Sequence, residues 1–314
     1  MDGVLIIDKP EGLTSHDVVA RVRRILKIKR VGHTGTLDPF ATGVLVVLCG
    51  RATRLAQFLS GADKEYLATV RFGYATDTGD LTGQRLETPG AQNIAGGDVP
   101  MFGERSVEAA LQSLRGEIEQ TPPMYSAKKV QGRKLYEMAR RGISIERQAV
   151  KVTIHELEAL RPHGVMLKSN EDGTLDFPIR VLCSAGTYIR TLAETIGERL
   201  GVPAHLAALR RTRAGSFKIE DAISLDELRE KAESAQDFLI STDAALRELP
   251  FVHLTADEAR VTLHGVALAL RDETAWPEDQ PVRMHDADGR LIAIGFYDAA
   301  GRCLRPRVVL FPEQ

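Results

Sequence analysis

Between Gly32 and Leu45 the chain reads GHTGTLDPFATGVL and runs straight into the apolar stretch Val44–Leu48. Gly32, Gly35 and Gly43 permit tight turns and a close approach of backbone to a ligand. Pro39 fixes its own φ and biases Asp38 away from the helical region. The segment therefore predicts a stiff loop that presents one carboxylate beside a buried strand, a common way of holding a functional side chain. Neither G-x-x-x-x-G-K-[ST] nor G-x-G-x-x-G occurs, so no standard triphosphate or dinucleotide cradle is signalled.

The flanking pattern alternates strands and helices. Val4–Ile7 is a β-branched run closed by Asp8-Lys9-Pro10-Glu11-Gly12 and reads as a strand. Thr14 and Asp17 form a capping box ahead of Val18, Val22, Ile25 and Leu26 at helical spacing. Val31–Gly43 reads as loop, Thr53–Leu59 as helix, and Tyr66–Phe72 alternates as a strand. Thr76–Gly83 is rich in turn residues, and Glu87–Gly103 reads as a long mobile loop. Helices are expected over Val107–Leu114 and Leu135–Arg141, strands over Val150–Ile154 and Phe177–Cys183. Ile189–Leu200 keeps helical spacing and stops at Gly201, and a second capping box opens at Ser224–Glu227. After Leu249 short apolar pieces alternate with turns, which predicts two units, 1–249 and a small β-rich 250–314.

With 314 residues and a net charge of -2, whole-chain charge does not announce a polyanion partner. The distribution does. Arg21–Arg30, Lys128–Arg141 and Arg210–Lys218 are locally basic, whereas acids gather over Asp226–Glu258. Cys49, Cys183 and Cys303 lie far apart, without C-x-x-C or H-x-x-x-H spacing, so no disulfide framework or metal site is expected. No apolar run approaches the ~20 residues of a membrane span, and the N-terminus does not resemble a signal peptide. A reduced, cytoplasmic protein without a cofactor is the expectation.

Six blocks together resemble one family. They are Asp8-Lys9-Pro10-Glu11-Gly12 with Thr14-Ser15, Gly32–Leu45, Lys64-Glu65-Tyr66 with Thr76–Asp80, Pro122–Ala127, Gly186–Arg190, and Leu209–Thr212. In this order they resemble the TruB family of tRNA pseudouridine synthases, most firmly over residues 2–220. Val46-Val47 departs where a proline is expected, and Thr195 where an aspartate is expected.

The resemblance implies an α/β (α+β) fold: a mixed, largely antiparallel sheet flanked by helices, then a small PUA-like β-barrel. It implies an isomerisation of the T-loop uridine (uridine-55) of tRNA, in which the base–ribose bond is cut, the base turns and a carbon–carbon bond forms. Asp38 is then the essential carboxylate and Arg190 its orienting partner. Tyr66 would stack on the flipped base, Tyr188 and Leu209 line its pocket, His33 help to open the RNA loop, and Lys9 touch a phosphate or stiffen its turn. Both Tyr188 and Arg190 can face one pocket only if the chain is still extended at Tyr188. The implied partner is the T-arm of tRNA, met by a stand-alone monomer.

Other readings of the same residues stay open. The basic faces suit an RNA chaperone or an inactive binding module. Related enzymes are guided by RNA within a protein complex. A glycosidase would need a second acid beside Asp38; Asp77 and Asp80 lie in a turn-rich block, but their spacing to Asp38 gives no specific sign of one. Attack at the sugar, addition to the base and proton abstraction are not distinguished.

Overall fold

The computed structural model describes residues 1–87, 102–126, 128–130, 133–139, 141–143, 145–270 and 276–310. Most of the Glu87–Gly103 segment therefore lies outside the described residues, as do Arg140 of the second basic run and Phe311. The chain begins β1 (Gly3–Lys9), α1 (Ser15–Ile25), β2 (Val31–His33), β3 (Thr42–Cys49), α2 (Ala56–Leu59) and β4 (Lys64–Phe72). It continues through α3 (Glu104–Gln112), β5 (Gly116–Gln120), β6 (Lys129–Val130), β7 (Arg133–Lys134) and α4 (Leu135–Ala139). β8 (Val150–Ala159), β9 (Lys168–Ser169), β10 (Leu175–Cys183), α5 (Ile189–Leu200), β11 (Ala204–Ala214), β12 (Phe217–Lys218), α6 (Leu225–Glu230) and α7 (Thr242–Ala245) follow.

One sheet runs β1-β3-β11-β4-β10-β8-β5, with β2 on β3, β9 on β10 and β12 on β11. Every ladder in it is antiparallel except β3 on β11, where Thr42 and Gly43 lie parallel to Arg210 and Arg211. The sheet is thus mixed and largely antiparallel, as expected. Period-2 burial sets its face: Tyr66, Ala68, Val70 and Phe72 point inward from β4, and Phe177, Ile179, Val181 and Cys183 from β10. Ile189, Leu192, Ala193 and Ile196 of α5 close over them.

α1 has the anticipated complete capping box, Thr14 with Asp17. Arg21, Arg24 and Lys27 are exposed on its far side. Gly201 ends α5 in the left-handed conformation, φ 74°. Two details differ from expectation. At Ser224 only half a box forms, because the Glu227 carboxylate bonds Lys231 instead. The Gly-rich loop surrenders Val31–His33 to a short strand on β3. Val46 and Val47 are fully laddered to Ile6 and Leu5, which a proline could not match on its donor side.

The C-terminal region holds β13 (Phe251–His253), α8 (Ala256–Leu263), β14 (Leu268–Ala269), β15 (Pro281–His285), β16 (Leu291–Asp298) and β17 (Cys303–Val309). These strands form a separate sheet ordered β13-β15-β16-β17-β14. Its Ile294, Val308 and Leu310 pack on Val4, Val44 and Leu48 of the first sheet. Phe58 and Phe296 meet at 5.9 Å across this contact, and Arg54 Nη1 donates to the Val309 carbonyl at 2.6 Å.

Candidate active site

Asp38 is held by what flanks it. Leu37 and Phe40 are 3% and 7% exposed, and burial of each side chain stabilises the loop by about 1.5–3 kcal/mol. The Leu37 amide donates to Ser15 Oγ at 2.8 Å, which in turn donates to the Leu37 carbonyl at 3.1 Å. The Pro39 carbonyl accepts from the Gly12 amide at 2.8 Å and from Lys9 Nζ at 3.2 Å. Lys9 is 0% exposed, and its second bond goes to the Pro10 carbonyl at 2.9 Å. Its ammonium stiffens two turns and does not reach the surface. Burial pulls its pKa down to about 8.

Arg190 enters from the first turn of α5. Its Nε lies 3.0 Å from Asp38 Oδ2 and its Nη2 3.4 Å from Oδ1, a side-on paired contact. The same Nη2 also donates to the Tyr125 carbonyl at 2.6 Å, and the remaining nitrogen, Nη1, to the Thr78 carbonyl at 2.9 Å. Arg190 is 5% exposed whereas the Asp38 side chain keeps 32% through the cleft mouth. Tyr188 precedes the helix in extended conformation, φ -97°, ψ 107°, so both it and Arg190 line one cleft. Buried Gln120 brackets its peptide, receiving from the Tyr188 amide at 3.0 Å and donating to its carbonyl at 3.3 Å.

A second carboxylate shares the arginine. Asp80 Oδ2 lies 3.7 Å from Arg190 Nη1. It is fixed by Thr78 Oγ1 at 2.9 Å, the Thr82 amide at 2.9 Å and Thr82 Oγ1 at 2.6 Å. Burial raises the Asp38 pKa, Arg190 opposes this, and the Asp80 charge adds to the rise. The sequence offered Asp80 only as one of two acids in a turn-rich block.

The cleft encloses about 260 Å³ and is lined by Asp38, Arg190, Tyr66, Tyr188, Leu209, Lys64 and Arg211 among others. Four of the expected residues meet Asp38 there: Arg190, Tyr66, Tyr188 and Leu209. His33 does not line it. Its ring stands edge-on to His16 at 5.3 Å, its buried Nδ1 has no partner among the described residues, and burial lowers its pKa. The basic run Arg210–Lys218 is divided by β11: Arg210 stays partly exposed, and Arg211 turns into the interior. Arg210 Nη2 pairs with Asp8 at 2.7 Å, and Arg211 is 2% exposed.

A carboxylate locked by a guanidinium beside an aromatic-lined slot can serve as nucleophile or base toward a planar ring. The model of the TruB family pseudouridylate synthase N-terminal domain matches residues 23–189, and that of the tRNA pseudouridylate synthase B C-terminal domain matches 190–249. The chain is 44% identical to the tRNA pseudouridine synthase B of Geobacillus thermodenitrificans (strain NG80-2) over 94% of this chain and 91% of that one. It is 42% identical to that of Bacillus pumilus (strain SAFR-032) over 94% and 92%. Among solved structures, a Cbf5-Nop10-Gar1 complex matches with TM-score 0.71 and 28% identity, covering 99% of this chain and 85% of that one. An H/ACA RNP bound to a substrate RNA containing 2'-deoxyuridine matches with TM-score 0.71 and 27% identity, with the same coverage.

Fold and site thus define a pseudouridine synthase, an isomerase. The chain belongs to the TruB family of pseudouridylate synthases. Among the described residues no helix is long and apolar enough to cross a membrane.

Proposed function

We propose that the substrate is the T-loop uridine of tRNA, and that Asp38 carries out the cleavage and re-formation of the base–ribose bond. The observation that carries this is the paired Arg190–Asp38 contact at the mouth of a slot walled by Tyr66, Tyr188 and Leu209. The names of the bacterial relatives supply the RNA class.

In this reading the target nucleotide leaves its stack and enters the slot, where Tyr66 offers an aromatic wall and Leu209 an apolar one. Arg190 keeps the carboxylate ionised and aimed. Lys9 acts through the Pro39 carbonyl as a positioning residue. His33, outside the slot, would meet the RNA loop from which the base departs. Exposed Arg21, Arg24, Lys27 and Arg30 would neutralise backbone phosphates. The sheet from Phe251 onward would serve as a separate PUA-like RNA-binding unit, 250–314. The protein would work alone, as a cytoplasmic monomer.

The test is pseudouridine formation in a purified T-arm stem-loop with chelator present, wild type against Asp38→Asn. Product from wild type and none from the folded variant is expected. RNA binding without product from either protein would overturn the stand-alone enzyme reading.

A further inference from the structure

Arg211 and Lys64 are buried cations without an acid. They are 2% and 8% exposed, and among the described residues neither has a carboxylate within ion-pair distance. Arg211 spends Nε on the Val44 carbonyl at 2.7 Å and Nη2 on the Gly35 carbonyl at 3.1 Å. Lys64 Nζ donates to the Ser60 and Ala62 carbonyls at 2.8 and 2.6 Å, leaving one N–H over. Asp63, next to it in sequence, pairs with His155 instead, at 3.2 Å.

Both side chains converge on one point of the catalytic loop. A Cβ added to Gly35 would lie 3.6 Å from Arg211 Nη1 and 3.9 Å from Lys64 Cε. Both also line the cleft with Tyr66, whose hydroxyl lies close enough to Arg211 for that charge to draw its pKa down against burial. Burial, with the Arg211 charge as the next cause, pulls Lys64 below its ordinary range.

Unpaired buried cations are costly, and such sites persist where a ligand supplies the negative charge. A phosphodiester is a poor candidate. It stays with the strand at the cleft mouth, whereas Arg211 and Lys64 line the cleft at only 2% and 8% exposure. The charge must arrive with the base.

We propose that Arg211 and Lys64 contact the uracil ring and stabilise the negative charge it acquires when its bond to the sugar breaks. This rests on the reading of the cleft as a uridine site. The bond that breaks is C1′–N1, and its electron pair leaves with the base. The ring then carries one negative charge spread over N1, O2 and O4, while the electron-deficient sugar faces Asp38. A bond from C5 to C1′ forms next, the C5 proton is released, and N1 takes up a proton. No oxidant or donor is required. Two fixed cations at the carbonyl edge stabilise the charge as it develops in the breaking C1′–N1 bond more than they stabilise the neutral uridine, which accelerates the step itself.

The experiment uses T-arm stem-loops carrying uridine or 5-fluorouridine at the target position, with single-turnover loss of the target nucleoside as readout. Fluorine makes the departing ring a better anion, so it relieves the need for external stabilisation. Arg211→Lys, Arg211→Met and Lys64→Met are compared with wild type, with circular dichroism to select folded variants. Removal of either cation is expected to slow uridine by about 10²–10³-fold, with RNA affinity within twofold of wild type and the deficit at least tenfold smaller on 5-fluorouridine. Equal deficits on both substrates, or a loss confined to RNA affinity, would overturn the proposal and leave a structural or phosphate-binding role. Wild type inactive on the uridine stem-loop would instead remove the underlying functional reading, and the proposal with it.

Discussion

Arg190 Nε sits 3.0 Å from Asp38 Oδ2 across 152 residues of chain, and the opposite nitrogen of the same guanidinium faces Asp80 at 3.7 Å. One buried arginine therefore serves two acids. The carboxylate at the cleft mouth is held in one orientation, and the other is locked in its own turn.

Arg190→Lys tests the fork. A lysine supplies charge but cannot span both oxygens of Asp38 while also reaching the Thr78 and Tyr125 carbonyls. Turnover should fall about 10²-fold, with RNA affinity retained in a filter-binding assay. Full activity in this variant would show that orientation by the fork is unimportant.

The pH profile follows from the raised Asp38 pKa. The ionised form is the reactive one, so the rate should fall on acidification, beginning above the ordinary aspartate value of 3.8. Asp80 contributes to that rise. Asp80→Asn should therefore move the acid limb to lower pH while lowering the plateau, because Arg190 loses an anchor. Rates measured across the acid range decide it; a limb moving upward would contradict the charge argument.

Lys9 predicts a stability effect of definite sign. Its folded pKa is about 8 against 10.5 for an ordinary lysine. Between these values the unfolded chain binds more protons, so stability rises with pH over that window. Lys9→Met should abolish this contribution, so the wild-type urea midpoint, taken relative to that of the variant, should rise as pH increases from about 8 to 10.5. Identical pH slopes in the two proteins would count against a buried Lys9.

Gly43 has φ 100°, and a Cβ there would sit 2.2 Å from the Arg211 carbonyl oxygen. This is where β3 and β11 run side by side. Gly43→Ala should cost at least about 2 kcal/mol of stability, read as a lowered urea midpoint. A variant of wild-type stability would mean the strands separate more freely than their spacing indicates.

The sequence by itself determined the local grammar. Asp-Pro within the glycine-rich loop, the Thr14–Asp17 box, the alternation of Tyr66–Phe72 and the stop at Gly201 each appear as read, because their causes lie within a few residues. The motif order also identified Asp38 and Arg190 as a pair. Tertiary structure alone decided the rest. Ala204–Ala214, rich in Ala, Leu and Arg, carries no strand period, yet it is a central strand because β3 and β4 offer it backbone partners on both sides. That placement turns Arg211 from a surface cation into a buried one. It likewise buries Lys9 and brings Asp80 to Arg190. Those positions depend on contacts between segments remote in sequence, which local spacing cannot encode.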